Sequence, residues 1–256
     1  RNAARLHPLT IPRIMANAPV SHITIEQGIR GPAFTVSSAC ASANHAIGLA
    51  FELIRSGALD AVVTGGSDAS IVPGFLKGWE ALRVLSPDGC RPFSKNRNGL
   101  VIGEGAGILV LENMETARAR GATIHAELVG FGMNADGVDM AAPNLESIAR
   151  AMNDSLRSAN LSPSDIDYVN AHGTGTRLND SVEVAALRKT FGNRLASLAI
   201  SSTKSMFGHA MAAAGALELI ATVQAVKQGI IPPTMNLDET DPECDVDCVP
   251  NQARRI

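Results

Sequence analysis

Hydrophobic positions along this chain alternate between short continuous runs and longer stretches with helical spacing. Ala33–Ser37 reads as a short strand. Apolar residues at Ala43, Ala46, Ile47, Ala50, Phe51 and Ile54 predict a helix over Ala41–Ser56, stopped by Gly57. Asp60–Thr64 is a continuous apolar strand ended by Gly65-Gly66, and Ser67 to Gly105 reads as loop with short helices. Gly107–Glu112 returns as strand, Asn113–Arg120 as a helix ended by Gly121, and Ala126–Gly132 as strand. Leu145–Ala159 is amphipathic, and Ser162-Pro163-Ser164-Asp165 caps a short helix. Then come strand Tyr168–Ala171, helix Asp180–Phe191, strand Leu198–Ser201 and the nearly all-apolar helix Ala212–Lys227, ended by Pro232-Pro233.

Alternating strands and helices imply an α/β fold with a largely parallel, buried sheet. The helices Ala41–Ser56 and Ala212–Lys227 carry so few charges that they read as buried on most sides, in a layered core with helices between sheets. Glu218 is the exception in the second helix. No short repeat occurs, but strand, turn and buried helix follow one another at Ala33–Ser56 and again at Leu198–Lys227, as two similar halves would.

Composition narrows the class. Of 256 residues, 45% are hydrophobic and 18% charged, which supports a core without staples. Net charge is −3 without long runs, so nucleic acid and acidic membranes are not expected partners. No run of 18 uncharged apolar residues offers a membrane span. Twenty-three glycines beside nine aromatics point to closely packed backbones. Four scattered cysteines favour a reducing compartment over a disulfide scaffold. The opening Arg1-Asn2-Ala3 and the close at Arg254-Arg255-Ile256 read as those of a fragment without a signal peptide.

Three stretches could carry chemistry. In Ser37-Ser38-Ala39-Cys40-Ala41-Ser42 a cysteine stands between a strand and a buried helix, where free N–H groups stabilise a thiolate; the other reading is a buried structural cysteine. In Asn170-Ala171-His172-Gly173-Thr174-Gly175-Thr176 a histidine leaves a strand end, with hydroxyls at Thr174 and Thr176 for an amide-bearing ligand; an exposed turn histidine is the alternative. Ser201–Ala210 holds Lys204 and His209, and Glu218 inside the next helix needs a partner, for which Lys204 is the candidate. One cysteine and two histidines at three strand ends suit acyl-thioester chemistry, with the thiolate taking an acyl group and imidazole N–H groups stabilising an enolate.

With these motifs in hand, the chain resembles the elongating β-ketoacyl-acyl carrier protein synthases, thiolase-fold condensing enzymes. The motifs run in order: Gly28-Ile29-Arg30-Gly31-Pro32, Ser38-Ala39-Cys40, Gly65-Gly66-Ser67, Cys90-Arg91-Pro92-Phe93, Gly103-Glu104-Gly105-Ala106-Gly107, Asn170–Thr176, and Ser202-Thr203-Lys204-Ser205 with Gly208-His209. The resemblance implies a layered αβαβα fold of two similar halves with mixed sheets, about 1–115 holding the nucleophile and about 116–256 both histidines. It also implies that Cys40 takes an acyl chain from acyl carrier protein. Malonyl-carrier protein then loses carbon dioxide with His172 and His209 on its thioester oxygen, and the carbanion attacks the acyl carbon. Either histidine is a candidate to assist Cys40 deprotonation. Lys204 and Glu218 would support the histidines, the Cys40 N–H would be half of an oxyanion hole, and Thr174 and Thr176 would meet the phosphopantetheine arm. No bound cofactor or metal, a homodimer and a cytoplasmic location belong to the same expectation.

The family's C-terminal glycine- and phenylalanine-rich loop, with its second oxyanion donor, and its N-terminal strands have no counterpart here, so a longer parent is expected and this piece alone would be inactive. Asp139-Met140-Ala141-Ala142-Pro143 stands where the family has Thr or Ser, removing one pantetheine contact. Gly78-Trp79 stands where a smaller Phe lines the acyl pocket. Trp79-Glu80-Ala81-Leu82, Asp139 and Asn44-His45 resemble the branch with rhizobial nodulation synthases, which make unusual unsaturated chains; Gly208-His209 follows the housekeeping pattern, which ranks first. Thiolase lacks the Lys204…His209 pairing, and a non-catalytic chain-length factor would lack Cys40. His45 is expected in the core and His7, His22 and His125 at loops or strand edges. Cys244 and Cys248 have no second pair to complete a zinc site. Gly103–Gly107 looks like a phosphate loop but precedes a strand. Arg91 and Arg97 are candidates to contact an acidic carrier protein.

Overall fold

The computed structural model describes residues 7–256, so the opening Arg1-Asn2-Ala3 lies outside the described residues. The chain divides into two compact units at Ser37/Ser38. The first holds α1 (Thr10–Ile14) and α2 (Ala18–Gln27), the latter started by a proline in its first turn and ended by Gly28 in the left-handed region at φ 65°. Ala33–Ser37 is not a strand: it pairs with nothing among the described residues, and its side chains are exposed or half-buried. A short apolar run does not make a strand without a neighbour to complete its ladder.

In the second unit, α3 (Ser42–Arg55) leads to β1 (Ala61–Asp68), which pairs antiparallel with β2 (Gly105–Glu112). Gly65-Gly66 does not break β1, contrary to expectation. Gly65 sits inside the ladder at φ 144°, and a Cβ there would lie 2.0 Å from the Gly107 carbonyl oxygen, so the glycines keep the strand continuous through a tight crossing. Between the strands lies α4 (Pro73–Ala81), and after them α5 (Met114–Ala119), whose Asn113 cap accepts the Glu115 and Thr116 N–H groups. Ala126–Gly132 is also not a strand; it has no ladder partner among the described residues. Its side chains fill gaps instead, Leu128 against the α3 core and Phe131 edge-on to half-buried His45 at 6.3 Å.

The C-terminal part continues with α6 (Leu145–Ala159), a 3₁₀ turn over Pro163–Asp165 held by a Ser162/Asp165 capping box, and β3 (Tyr168–Asn170). Next come α7 (Arg177–Phe191), β4 (Ala199–Ser201), the short α8 (Lys204–Phe207) and α9 (Ala214–Gln228). β5 (Ile230–Ile231) and β6 (Arg254–Arg255) close as an antiparallel pair. The sheets are mixed: only β3–β4 is parallel among the described ladders, which corrects the largely parallel expectation.

Helices α3 and α9 pack together beneath the β1–β2 ladder through Ala43, Ile47 and Ala216, joined by Leu109, Leu111 and Leu219. On its other side α9 meets β3, where Asn170 Nδ2 donates to the Glu218 carbonyl. Neither helix is enclosed all round: Asn44 of α3 is exposed, most of α9 from Leu217 to Val223 is half-buried, and Val226 is exposed. A second core lies under β3–β4, where Leu187, Val184, Leu198 and Ile200 are inaccessible and Phe93 joins from the loop after α4. Cys244 and Cys248 sit in this core, and burial pushes both thiols up to about 12, as suits packing residues. Leu187→Ala is expected to cost about 2–5 kcal/mol, read as a lowered denaturant midpoint in the intact protein; an unchanged midpoint would contradict this packing.

Candidate active site

Parallel β3 and β4 end side by side, and this places two histidine loops together. The Ala171 N–H continues the ladder to the Ser201 carbonyl at 2.9 Å, and the Ser202 hydroxyl donates to the Gly173 carbonyl at 2.7 Å. His172 and His209 meet edge to face, ring centroids 5.2 Å apart. Cys40 arrives from the turn before α3. Ala39 is held in the left-handed region at φ 46°, at a cost of about 1–2 kcal/mol, while Ser42 Oγ accepts the Ser38 N–H and donates to the Ala39 carbonyl. His209 Nε2 lies 3.1 Å from Cys40 Sγ, and one donor atom from each of Cys40, His172 and His209 falls within 4.8 Å of the others.

The backbone around His209 is clamped on both sides. Its N–H donates to the Val101 carbonyl at 2.7 Å, and its carbonyl accepts the Gly103 N–H at 2.9 Å. A Cβ at position 103 would lie 2.5 Å from the Phe207 carbonyl oxygen, so Gly103 serves close backbone approach to the histidine loop. The Met211 N–H donates to His209 Nδ1 at 3.1 Å. With Nδ1 accepting, the neutral ring carries its proton on Nε2, directed at the sulfur. That proton occupies the position where a metal would need a lone pair.

Lys204 has a wholly buried side chain, ion-paired to Glu218, the partner expected for it. Burial raises the Glu218 carboxyl above its ordinary range while Lys204 pulls the other way. Burial, reinforced by Lys204, holds His209 down to about 3 and His172 well below the ordinary imidazole value. Burial pushes the Cys40 thiol up, opposed by Lys204 and by its own N–H. The site therefore rests as a thiol with two neutral imidazoles.

Two carboxylates not singled out from sequence organise the His172 loop. Glu183 is buried and accepts the His172 and Gly173 N–H groups at 2.6 and 2.7 Å, while burial raises its carboxyl to about 7. Asp180, also buried, accepts the Phe93 and Gly175 N–H groups. Both lie on the face of α7 that carries Val184 and Leu187 into the core, and acidic residues on an apolar helical face were the available signal.

Other expected site residues sit further out. The Thr174 and Thr176 hydroxyls are 3.0 Å apart, Thr174 is buried, and Thr176 caps α7 by accepting the Asn179 N–H. Trp79 is half-buried on α4, edge-on to Phe75 at 6.0 Å. Asp139 Oδ1 accepts the Ala141 and Ala142 N–H groups, which hold its carboxyl below the usual range. Arg97 is fully buried, donating to the Ser94, Thr176 and Arg177 carbonyls and ion-paired to Asp241, so it is unavailable to any carrier protein. Arg91 is largely covered and paired with Asp88.

With that geometry established, the chain belongs to the β-ketoacyl synthases, with their thiolase-like fold. It matches the models of the β-ketoacyl synthase N-terminal domain over residues 1–117 and C-terminal domain over residues 125–238. Nodulation protein E of Rhizobium leguminosarum bv. trifolii is 51% identical over 250 residues, 98% of this chain and 62% of the relative. The 3-oxoacyl-[acyl-carrier-protein] synthase 2 of Staphylococcus aureus is 41% identical over 259 residues, 98% of this chain and 64% of that protein. This chain thus spans under two thirds of the length of these relatives. Among solved structures, the ishigamide ketosynthase/chain length factor superposes with a TM-score of 0.94 at 43% identity, covering 98% of this chain and 62% of the other. A type II PKS acyl-carrier protein in complex with its ketosynthase gives 0.95 at 33% identity, covering 99% and 64%.

Because His209 is held neutral down to about 3 while an unfolded histidine titrates near 6.5, unfolding takes up protons below about pH 6.5. Stability from this group is therefore full above about 6.5 and is lost as pH falls toward 3. In the intact protein, His209→Gln is expected to flatten the loss of denaturant midpoint between pH 7 and pH 5; an unchanged slope would contradict a buried neutral ring.

Proposed function

We propose that this chain carries the side chains of an acyltransferase that joins acyl and malonyl thioesters by decarboxylative condensation. The Cys40–His209 contact with His172 edge-on beside it carries the reading. The Cys40 sulfur attacks the acyl thioester, the bond from the acyl carbon to Cys40 forms as its bond to the carrier sulfur breaks, and the proton of the Cys40 thiol leaves on the carrier sulfur. Malonyl-carrier protein then loses carbon dioxide, and the freed electron pair is held as an enolate by N–H groups of His172 and His209. The enolate carbon attacks the Cys40 acyl carbon, the carbon–carbon bond forms and Cys40 leaves as thiolate. Neutral imidazoles suit this step because each keeps one N–H to donate. Lys204 and Glu218 support the pair, and the Cys40 N–H supplies half of an oxyanion hole.

The same reading makes acyl carrier protein the partner, with Thr174 and Thr176 meeting its phosphopantetheine arm, Trp79 lining the acyl pocket, and no other cofactor. A structural neighbour is a ketosynthase in complex with a type II acyl-carrier protein, which supports the partner. The division into a nucleophile half over about 1–115 and a histidine half over about 116–256, a homodimer, and a cytoplasmic setting complete the proposal. The four free thiols support a reducing compartment, and no helix among the described residues is long and apolar enough to cross a membrane. Fatty acid elongation is the first pathway. Nodulation-type synthesis of unsaturated chains is the second, favoured by 51% identity to Nodulation protein E against 41% to the S. aureus synthase.

In the full-length protein, Cys40→Gln is expected to lower condensation at least ~10³-fold while malonyl decarboxylation persists, and His172→Ala to lower decarboxylation about 10²-fold or more. Iodoacetamide is expected to label Cys40. Loss of both half-reactions together in Cys40→Gln, or absence of the adduct, would overturn the division of labour. Rates with carrier proteins bearing saturated and polyunsaturated chains separate the two pathways, a strong polyunsaturated preference overturning the elongation role.

A further inference from the structure

Asp68 ends β1, two residues beyond Gly66 on the same face of the strand. A Cβ at position 66 would lie 2.8 Å from the Ala212 carbonyl oxygen and 3.3 Å from the Ala213 Cα, so the 3₁₀ turn Met211–Ala213 is pressed directly on the strand there. The approach brings the Ala212 N–H within 3.2 Å of Asp68 Oδ2. The amide just before it, that of Met211, donates to His209 Nδ1. Met211 itself sits at φ 43°, a conformation that its side chain disfavours and its surroundings must enforce. The two consecutive N–H groups that open this turn thus have one acceptor each, the imidazole and the carboxylate. The other carboxylate oxygen, Oδ1, is buried and takes no hydrogen bond among the described residues.

We propose that Asp68 is a positioning residue for His209: it holds the turn whose amide fixes the ring's tautomer with Nε2–H toward Cys40. This rests on the condensing reading above. A carboxylate here is a costly anchor, since a neutral acceptor would serve Ala212 equally well and Oδ1 is left buried without a partner among the described residues. Asp68 therefore acts on the Cys40–His209 contact through the hydrogen-bonded turn that holds the imidazole.

Two readouts on the full-length protein test this: malonyl-carrier protein decarboxylation and the His209 tautomer from ring ¹⁵N shifts. Asp68→Ala is expected to lower the decarboxylation kcat about ten-fold or more with little change in KM, and to give His209 mixed tautomers. Asp68→Asn keeps an acceptor for Ala212 and is expected to recover most of that rate and the single tautomer. Recovery of the single tautomer by a neutral acceptor is the signature that loss of a merely structural contact would not give. Wild-type decarboxylation or an unaltered tautomer in Asp68→Ala would overturn the proposal, as would mixed tautomers in Asp68→Asn. If Asp68→Ala does not fold, an Asn variant with mixed tautomers overturns it and one with a single tautomer supports it. A wild-type protein that neither decarboxylates nor condenses sinks the function proposed above, while the tautomer readout still judges Asp68.

Discussion

An ammonium group with no access to water needs a compensating charge, and in this protein Lys204 finds it in Glu218 of α9. Removing two ions from water costs several kcal/mol each, so their attraction must offset a large penalty rather than add stability outright. What the arrangement supplies is a fixed positive field beside three reactive side chains. The field disfavours protonation of His172 and His209, and it favours ionisation of Cys40 against the effect of burial. Burial and this buried cation together keep both imidazoles neutral, while at Cys40 the cation opposes burial, the directions that the proposed thioester chemistry calls for.

Around that field, positions are held largely by main chain. Val101 and Gly103 hold the backbone of His209, the Glu183 carboxylate holds the N–H groups of His172 and Gly173, and Ser42 closes the turn that carries Cys40. Holding a residue by its backbone leaves its side chain free to meet substrate, and it fixes direction better than loop packing does. Gly65, Gly66 and Gly103 answer the same need, since strand, turn and loop approach there to distances that a Cβ would forbid.

Helical periodicity located α3, α6, α7 and α9 to within a few residues, because buried faces impose it locally. Short apolar runs predict strands that do not form at Ala33–Ser37 and Ala126–Gly132, where side chains pack or lie exposed without a ladder partner among the described residues, and at Gly65-Gly66 a turn signature sits inside a strand. Cys40, His172 and His209 were visible as reactive types at element ends, and Lys204 as the partner of a lone buried glutamate. Arg97 misled because nothing local distinguishes a solvated arginine from one enclosed by Asp241 and three carbonyls. Glu183 and Asp180 escaped notice because their partners are backbone amides, which every sequence contains.

The tautomer of His209 bears on how Cys40 could lose its proton in the proposed chemistry. A neutral ring whose Nδ1 accepts the Met211 N–H has no lone pair at Nε2, the atom that faces the sulfur. It cannot take the thiol proton there, but it can donate to the thiolate once formed, and later to a thioester oxygen, without changing its own charge. Burial keeps the sulfur protonated at rest, and in the proposed acyl transfer its proton leaves on the carrier sulfur, so that no imidazole has to change its charge. In that proposal the imidazole serves acyl transfer and decarboxylation in one protonation state, and the commitment of its other nitrogen to a backbone amide is what fixes that state.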